Sequence, residues 1–136
     1  MHVHQMIATH PRAGGTAADI LVACIEECFD CAQTCTACAD ACLSEPSVAE
    51  LTETIRLNLD CADVCAAAGA LASRRTGSND LVVRMMIETC VSACRVCAED
   101  CEQHTHMPHC VVCAEVCRRC EAVCRQAAQT ITPTVQ

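Results

Sequence analysis

The chain has 136 residues, enough for one domain with a real core, and 52% of them are apolar. Seventeen are cysteine, one is Phe and none is Trp or Tyr, so the large side chains that ordinarily fill a core are nearly missing. The formal charge of −8, with Arg as the sole strong base, excludes nucleic acid and anionic membrane as expected partners.

Residues 1–15 carry Met1, His2, His4, Met6 and His10, then Pro11 and the pair Gly14-Gly15. The glycine pair reads as a linker, and the part before it as a mobile arm or a short helix. The chain opens without a basic segment followed by an apolar one, and no run of about 18 apolar residues occurs. Neither a secretory leader nor a membrane span is therefore expected. The expected compartment is the cytoplasm, where reducing conditions favour thiols as metal ligands over disulfides. An odd number of cysteines also leaves one unpaired in any all-disulfide scheme within a chain.

The first long helix is predicted from about Thr16, with Asp19 as a weak capping partner, through Cys42-Leu43. It stops before Ser44-Glu45-Pro46, because the residue ahead of a proline resists helical geometry. Its cysteines, Cys24, Cys28, Cys31, Cys35, Cys38 and Cys42, alternate in spacing between four and three. That rhythm puts all of them on one stripe of a helix.

A second helix is predicted from Pro46-Ser47, where Ser47-Val48-Ala49-Glu50 matches a capping box, and it ends at Ser73-Arg74-Arg75-Thr76-Gly77, with cations in the last turn and a glycine stop. Its inner stripe is Leu51, Thr54, Asn58, Cys61, Cys65, Ala68 and Ala72. A third, capped by Ser78-Asn79-Asp80, carries Val83, Ile87, Cys90, Cys94, Cys97 and Cys101, and the stripe runs on to His104. A fourth opens at Pro108, a favoured first-turn residue, carries Cys110, Cys113, Cys117, Cys120 and Cys124, and fades before Pro133. Four helices with short links predict an all-α fold: an up-down-up-down antiparallel four-helix bundle with a Cys-lined core, one domain over 1–136.

Take the Ser44–Pro46 and His104–Met107 links as the top, and a rise of about 1.5 Å per residue. Cys42, Cys101 and Cys110 then lie in the top ~5 Å, and Cys38, Cys97 and Cys113 about 10 Å down. Cys35, Cys94 and Cys117 come at about 15 Å, and Cys31, Cys61, Cys90 and Cys120 at about 20 Å. Cys28, Cys65 and Cys124 follow at about 25 Å, with Cys24 lowest near 30 Å. The levels interleave into one internal column, to which the second helix adds thiols only in the lower half.

Zinc fingers need discrete tetrahedral sets, and ferredoxin clusters use cysteines in loops. Soft thiolates in a dry interior suit Cu(I), which accepts two or three sulfurs, and an i, i+4 pair can grip one ion between its sulfurs. Each Cu(I) cancels one thiolate charge, so many ions per chain can be buried together.

With these stripes in view, the chain resembles the bacterial four-helix-bundle copper storage proteins of the type without an export signal. The six-Cys stripe of the first helix, Cys61 and Cys65, Cys90 to Cys101 and Cys110 to Cys124 carry the likeness over essentially the whole chain. The resemblance implies storage of many Cu(I) ions inside the bundle and a homotetramer of bundles. It also implies histidine ligands near one open end, for which His104 and His109 are the nearest matches, with His106 and Met107 beside them.

Cysteine as a small core hydrophobe accounts for one or two such positions, but not for seventeen in register. Intrahelical disulfides fit i, i+4 geometry poorly. A redox enzyme wants an exposed thiol in a positive setting, and no nucleophile–base arrangement is readable, so no enzyme is expected. The alternative that remains is a metallothionein-like buffer for zinc, cadmium and copper. His104 is read as a ligand pointing into the top of the column, against the plainer reading of a helix-end histidine. His109 beside Cys110, His106 and Met107 in the turn, and His10 with His2, His4 and Met6 in the arm are further candidates. Asp60 and the acids Glu26, Glu27, Asp30, Asp40, Glu99 and Asp100 are expected on solvated faces.

Overall fold

The computed structural model describes residues 1–13, 18–77 and 79–131, and every regular element among them is helical. They are α1 (Val3–Ala8), α2 (Asp19–Leu43), α3 (Thr52–Ser73), α4 (Asp80–Cys101) and α5 (Pro108–Thr130), with a 3-10 turn at Val48–Glu50. The segment before the linker is thus a short helix. Gly14-Gly15, Thr16, Ser78 and Pro133, expected as linker, start, cap and stop, lie outside the described residues.

α2 begins with Asp19 in its first turn, a favourable charge at the positive end of the helix dipole, and ends at Leu43, two residues before Glu45-Pro46. The capping box expected at Ser47 does not form. The backbone N–H of Glu50 bonds the Ser47 carbonyl at 2.8 Å and that of Leu51 bonds Val48 at 3.0 Å, closing a 3-10 turn, and α3 starts at Thr52. Leu51, 1% exposed, is drawn into the core, and that burial moves the helix start past the predicted cap. Asn79 likewise makes no side-chain cap for α4. Its Nδ2 donates back to the carbonyls of Leu71 and Arg74, closing the end of α3 instead.

α2 packs on α3 and α5, and α4 packs on the same two, so the four long helices stand as the corners of a square. Cys24 near the start of α2 meets Cys124 near the end of α5, and Thr54 in the first turn of α3 meets His104 just past α4. Neighbours therefore run antiparallel, the bundle that the short links and period-3.5 stripes require. α1 lies on α2 at the lower end, with Ile7 in the core and His10 Nε2 3.1 Å from Thr76 Oγ1 in the α3–α4 link. Phe29, the sole aromatic residue, lies against α3 at Gly69, where a β-carbon would come within 2.9 Å of its ring.

The centre is sulfur. Each of the seventeen cysteines is at most 2% exposed and all are free thiols. Ile25, Val83 and Ile87, among the largest fully buried side chains, fill the lower part of the core, with Ala68 and Ala72 beside them. No helix among the described residues is long and apolar enough to cross a membrane. Of the flanking acids, Asp30, Asp40, Asp60 and Glu99 are exposed as expected. Glu27 and Asp100 depart from the expectation: each has a carboxylate oxygen that is buried without a hydrogen-bond partner, and burial raises the Glu27 carboxyl above its ordinary range.

Candidate metal centre

The thiols form a nearly continuous thread along the bundle axis. From the bottom, Cys24 Sγ lies 3.4 Å from Cys124, which lies 3.5 Å from Cys28, which lies 3.9 Å from Cys90. Cys90 meets Cys65 at 3.4 Å and Cys65 meets Cys94 at 3.5 Å. Cys94 is 3.8 Å from Cys31, Cys31 is 3.7 Å from Cys117, and Cys117 is 3.5 Å from Cys35. Cys35 reaches Cys113 at 3.8 Å. These separations far exceed an S–S bond of about 2.05 Å, so the sulfurs are unbonded neighbours.

The order of levels agrees with the rise per residue, but the rungs are not coplanar. Cys31 meets Cys94 and Cys117, and Cys28 meets Cys90, each about one level from its expected partner. Side chains of one helix sit in the gaps between those of its neighbour, so a thiol bridges two levels and does not face one. The result is overlapping groups of four: Cys31-Cys35-Cys61-Cys117 shares two sulfurs with Cys31-Cys61-Cys65-Cys94 and two with Cys35-Cys97-Cys113-Cys117, and within each group the sulfurs all lie within 4.8 Å of one another. Within single helices, the i, i+4 pairs Cys31–Cys35, Cys61–Cys65 and Cys120–Cys124 are 3.8, 3.8 and 3.7 Å apart.

Protons are shared unevenly along this thread. On α2, hydrogen bonds from Cys124 and Cys28 hold Cys24 down to about 5, bonds to Cys120 and Cys124 push Cys28 up, and bonds from Cys117 and Cys120 push Cys31 down. A chain of thiols in which each sulfur either gives or receives a proton produces this alternation. Near the top the cause changes: burial is the leading influence on Cys42, which is raised, and on Cys110, which is pushed up to about 12.

In the upper part α3 offers Asn58 and Thr54 where lower turns offer thiols. Asn58, 0% exposed, accepts through Oδ1 from Cys97 at 3.0 Å, Cys113 at 3.3 Å and Cys101 at 3.7 Å, while its buried Nδ2 has no partner. Above it, Cys38, Cys42, Cys110 and His109 form a mixed group. His109 Nδ1 is 3.4 Å from Cys38 Sγ and 3.6 Å from Cys110 Sγ, and its Nε2 is 3.0 Å from Glu45 Oε1.

The two leading histidine candidates are therefore placed differently. His104 lies past the end of α4 at Cys101: its N–H closes a turn on the Cys101 carbonyl, and its ring bonds Oγ1 of Thr54, a buried residue of the α3 inner stripe, at 3.1 Å. The same Nε2 is 3.9 Å from Asp100. His106 is exposed, with its ring centroid 6.3 Å from that of His104. Met107 is 4% exposed and packs in the core. At the opposite end both ring nitrogens of His10 are engaged, Nδ1 accepting from the Arg12 N–H and Nε2 facing Thr76. His2, just ahead of α1, and His4 and Met6 on it are exposed.

In the sequence Glu45 reads only as part of a helix stop, and Asn58 as one more position of a stripe. A polar residue at an inward heptad position is nonetheless a readable signal for Asn58. Glu45 is brought to His109 from 64 positions away by the return of α5 along α2, which no local pattern announces.

Comparison with known proteins gives a consistent picture. The model of the copper storage protein family matches residues 17–129. A copper storage protein of Streptomyces lividans, Ccsp, solved with 10 copper equivalents, is 46% identical, covers 93% of this chain and 98% of its own, and superposes with a TM-score of 0.85. A cytosolic copper storage protein from the same organism, solved with five coppers, is 50% identical over 84% of this chain and 96% of its own, with a TM-score of 0.81. The Cu(I)-bound copper storage protein BsCsp3 is 33% identical over 81% of this chain and 99% of its own, with a TM-score of 0.71.

Proposed function

This chain belongs to the copper storage protein family, and from that premise we propose that it is a cytosolic store that holds many Cu(I) ions on thiolates inside its bundle. The observation that carries the reading is the buried sulfur thread from Cys24 to Cys113, with its overlapping groups of four. Buried soft thiolates in such numbers suit a soft monovalent ion held by two or three sulfurs at a time. The relatives solved with copper support copper over a general buffer.

We assign all seventeen cysteines as ligands, with His109 completing the topmost group beside Cys38, Cys42 and Cys110. The chain acts as a single domain that stores and does not catalyse: its thiols are sealed from solvent, and substrates of a redox enzyme could not reach them. Family resemblance extends the proposal to a tetramer of bundles. Titration of the reduced protein with Cu(I) against a competing chelator tests the reading, and roughly a dozen or more ions per chain are expected. Saturation at one to four ions, or preference for Zn(II) over Cu(I), would overturn it.

A further inference from the structure

We infer that Glu45 is a positioning residue for copper uptake, resting on the storage reading above: it fixes which nitrogen of His109 faces the thiols. The ring is held between two opposite demands. On one side Nε2 lies 3.0 Å from Glu45 Oε1, and on the other Nδ1 lies 3.4 Å from Cys38 Sγ and 3.6 Å from Cys110 Sγ. A carboxylate oxygen only accepts, so Nε2 must carry the proton, and a neutral ring then presents a bare Nδ1 lone pair to the sulfur group. The other tautomer would set two lone pairs against each other across 3.0 Å.

Both ends of this contact are rigidly mounted. Glu45 sits in the turn after α2, where its N–H bonds the Cys42 carbonyl at 3.2 Å and its own carbonyl accepts from Val48 at 3.1 Å. His109 follows Pro108 in the first turn of α5. Both side chains are mostly covered, 23% exposed for His109 and 30% for Glu45, so water competes only partly for the bond. A histidine whose far nitrogen donates to a carboxylate is fixed in orientation and in tautomer. The same turn that ends the long thiol helix thus aims the imidazole that meets an arriving ion.

Long-range proton–nitrogen NMR of the copper-free, reduced protein reads the tautomer directly, and stopped-flow loading from a Cu(I)–acetonitrile complex reads uptake. The parent is expected to show neutral His109 protonated on Nε2. Glu45→Ala should mix the tautomers and slow uptake by roughly tenfold with saturation unchanged, while Glu45→Gln, whose amide oxygen still accepts from Nε2, should keep the tautomer and most of the rate. The inference is overturned if Glu45→Ala keeps the Nε2 tautomer, or changes it without slowing uptake. Unchanged helicity of Glu45→Ala separates this effect from misfolding. A parent that takes up only a few ions would sink the storage reading while leaving the tautomer measurement to stand.

Discussion

The lower and upper parts of the column are built from the same heptad rhythm but of different chemistry. Below, all four helices face one another with thiols, and Cys31, Cys61, Cys65 and Cys94 close a group with no other ligand type in it. Above, α3 supplies Asn58 and Thr54, and His109 stands where a further sulfur would. A site of thiolates alone binds a soft ion tightly and releases it reluctantly, whereas imidazole is a borderline ligand that suits exchange. The proposed reading assigns holding to the lower part and handing over to the upper, within one core.

Removing sulfur from the lower part should have the largest effect. Replacing Cys31, Cys61, Cys65 and Cys94 together by Ser should lower Cu(I) saturation by roughly four ions or more, since each thiolate serves more than one group. Titration against a chelator measures it, and an unchanged endpoint would erase the distinction between the two parts.

Next comes the upper part alone. His109→Ala should slow uptake about tenfold and leave saturation within about one ion of the parent. A fall in capacity as large as that of the lower variant would mean that His109 stores and does not admit.

A smaller change should convert one region toward the other. Asn58→Cys places sulfur among Cys97, Cys101 and Cys113, and should add about one Cu(I) to the endpoint. No gain would show that the upper part is limited by something other than its missing thiol.

The smallest effect belongs to the surface. Arg118 joins α5 to the end of α4 through Glu102, at 2.8 and 3.0 Å, and its guanidinium holds the Glu102 carboxyl below the usual carboxylate range. A carboxyl lowered in the folded state contributes stability above its unfolded value, about 4.3, and loses it as pH falls through the lower folded value. The pair is two-fifths exposed, so Arg118→Gln should cost under about 1 kcal/mol near neutral pH, and less still at pH 3. Thermal unfolding at both pH values checks the sign, and equal losses would show that the pair's charge is irrelevant.

Much of the molecule is legible in the spacing of its residues. The 4-3-4 rhythm from Cys24 to Cys42 specifies a helix with one sulfur face, because a period near 3.5 has no other regular realisation. Three matching stripes, short links and Pro108 specify an antiparallel bundle with α2 as the helix whose thiols span its length. Soft ligands without aromatic filler specify the class of metal.

Tertiary structure decided what depends on two helices at once. Side chains settle into the gaps of a neighbour, so Cys31 meets Cys94 and Cys117 of the next level as well as Cys61 of its own. Burial of Leu51 overrides the capping pattern at Ser47, since apolar area removed from water outweighs one local hydrogen bond. The end of α4 at Cys101 turns His104 toward Thr54, while the return of α5 brings His109 between Cys38 and Glu45. Spacing along one chain determines which face a residue occupies. Which neighbour its atoms touch is set only when the faces meet.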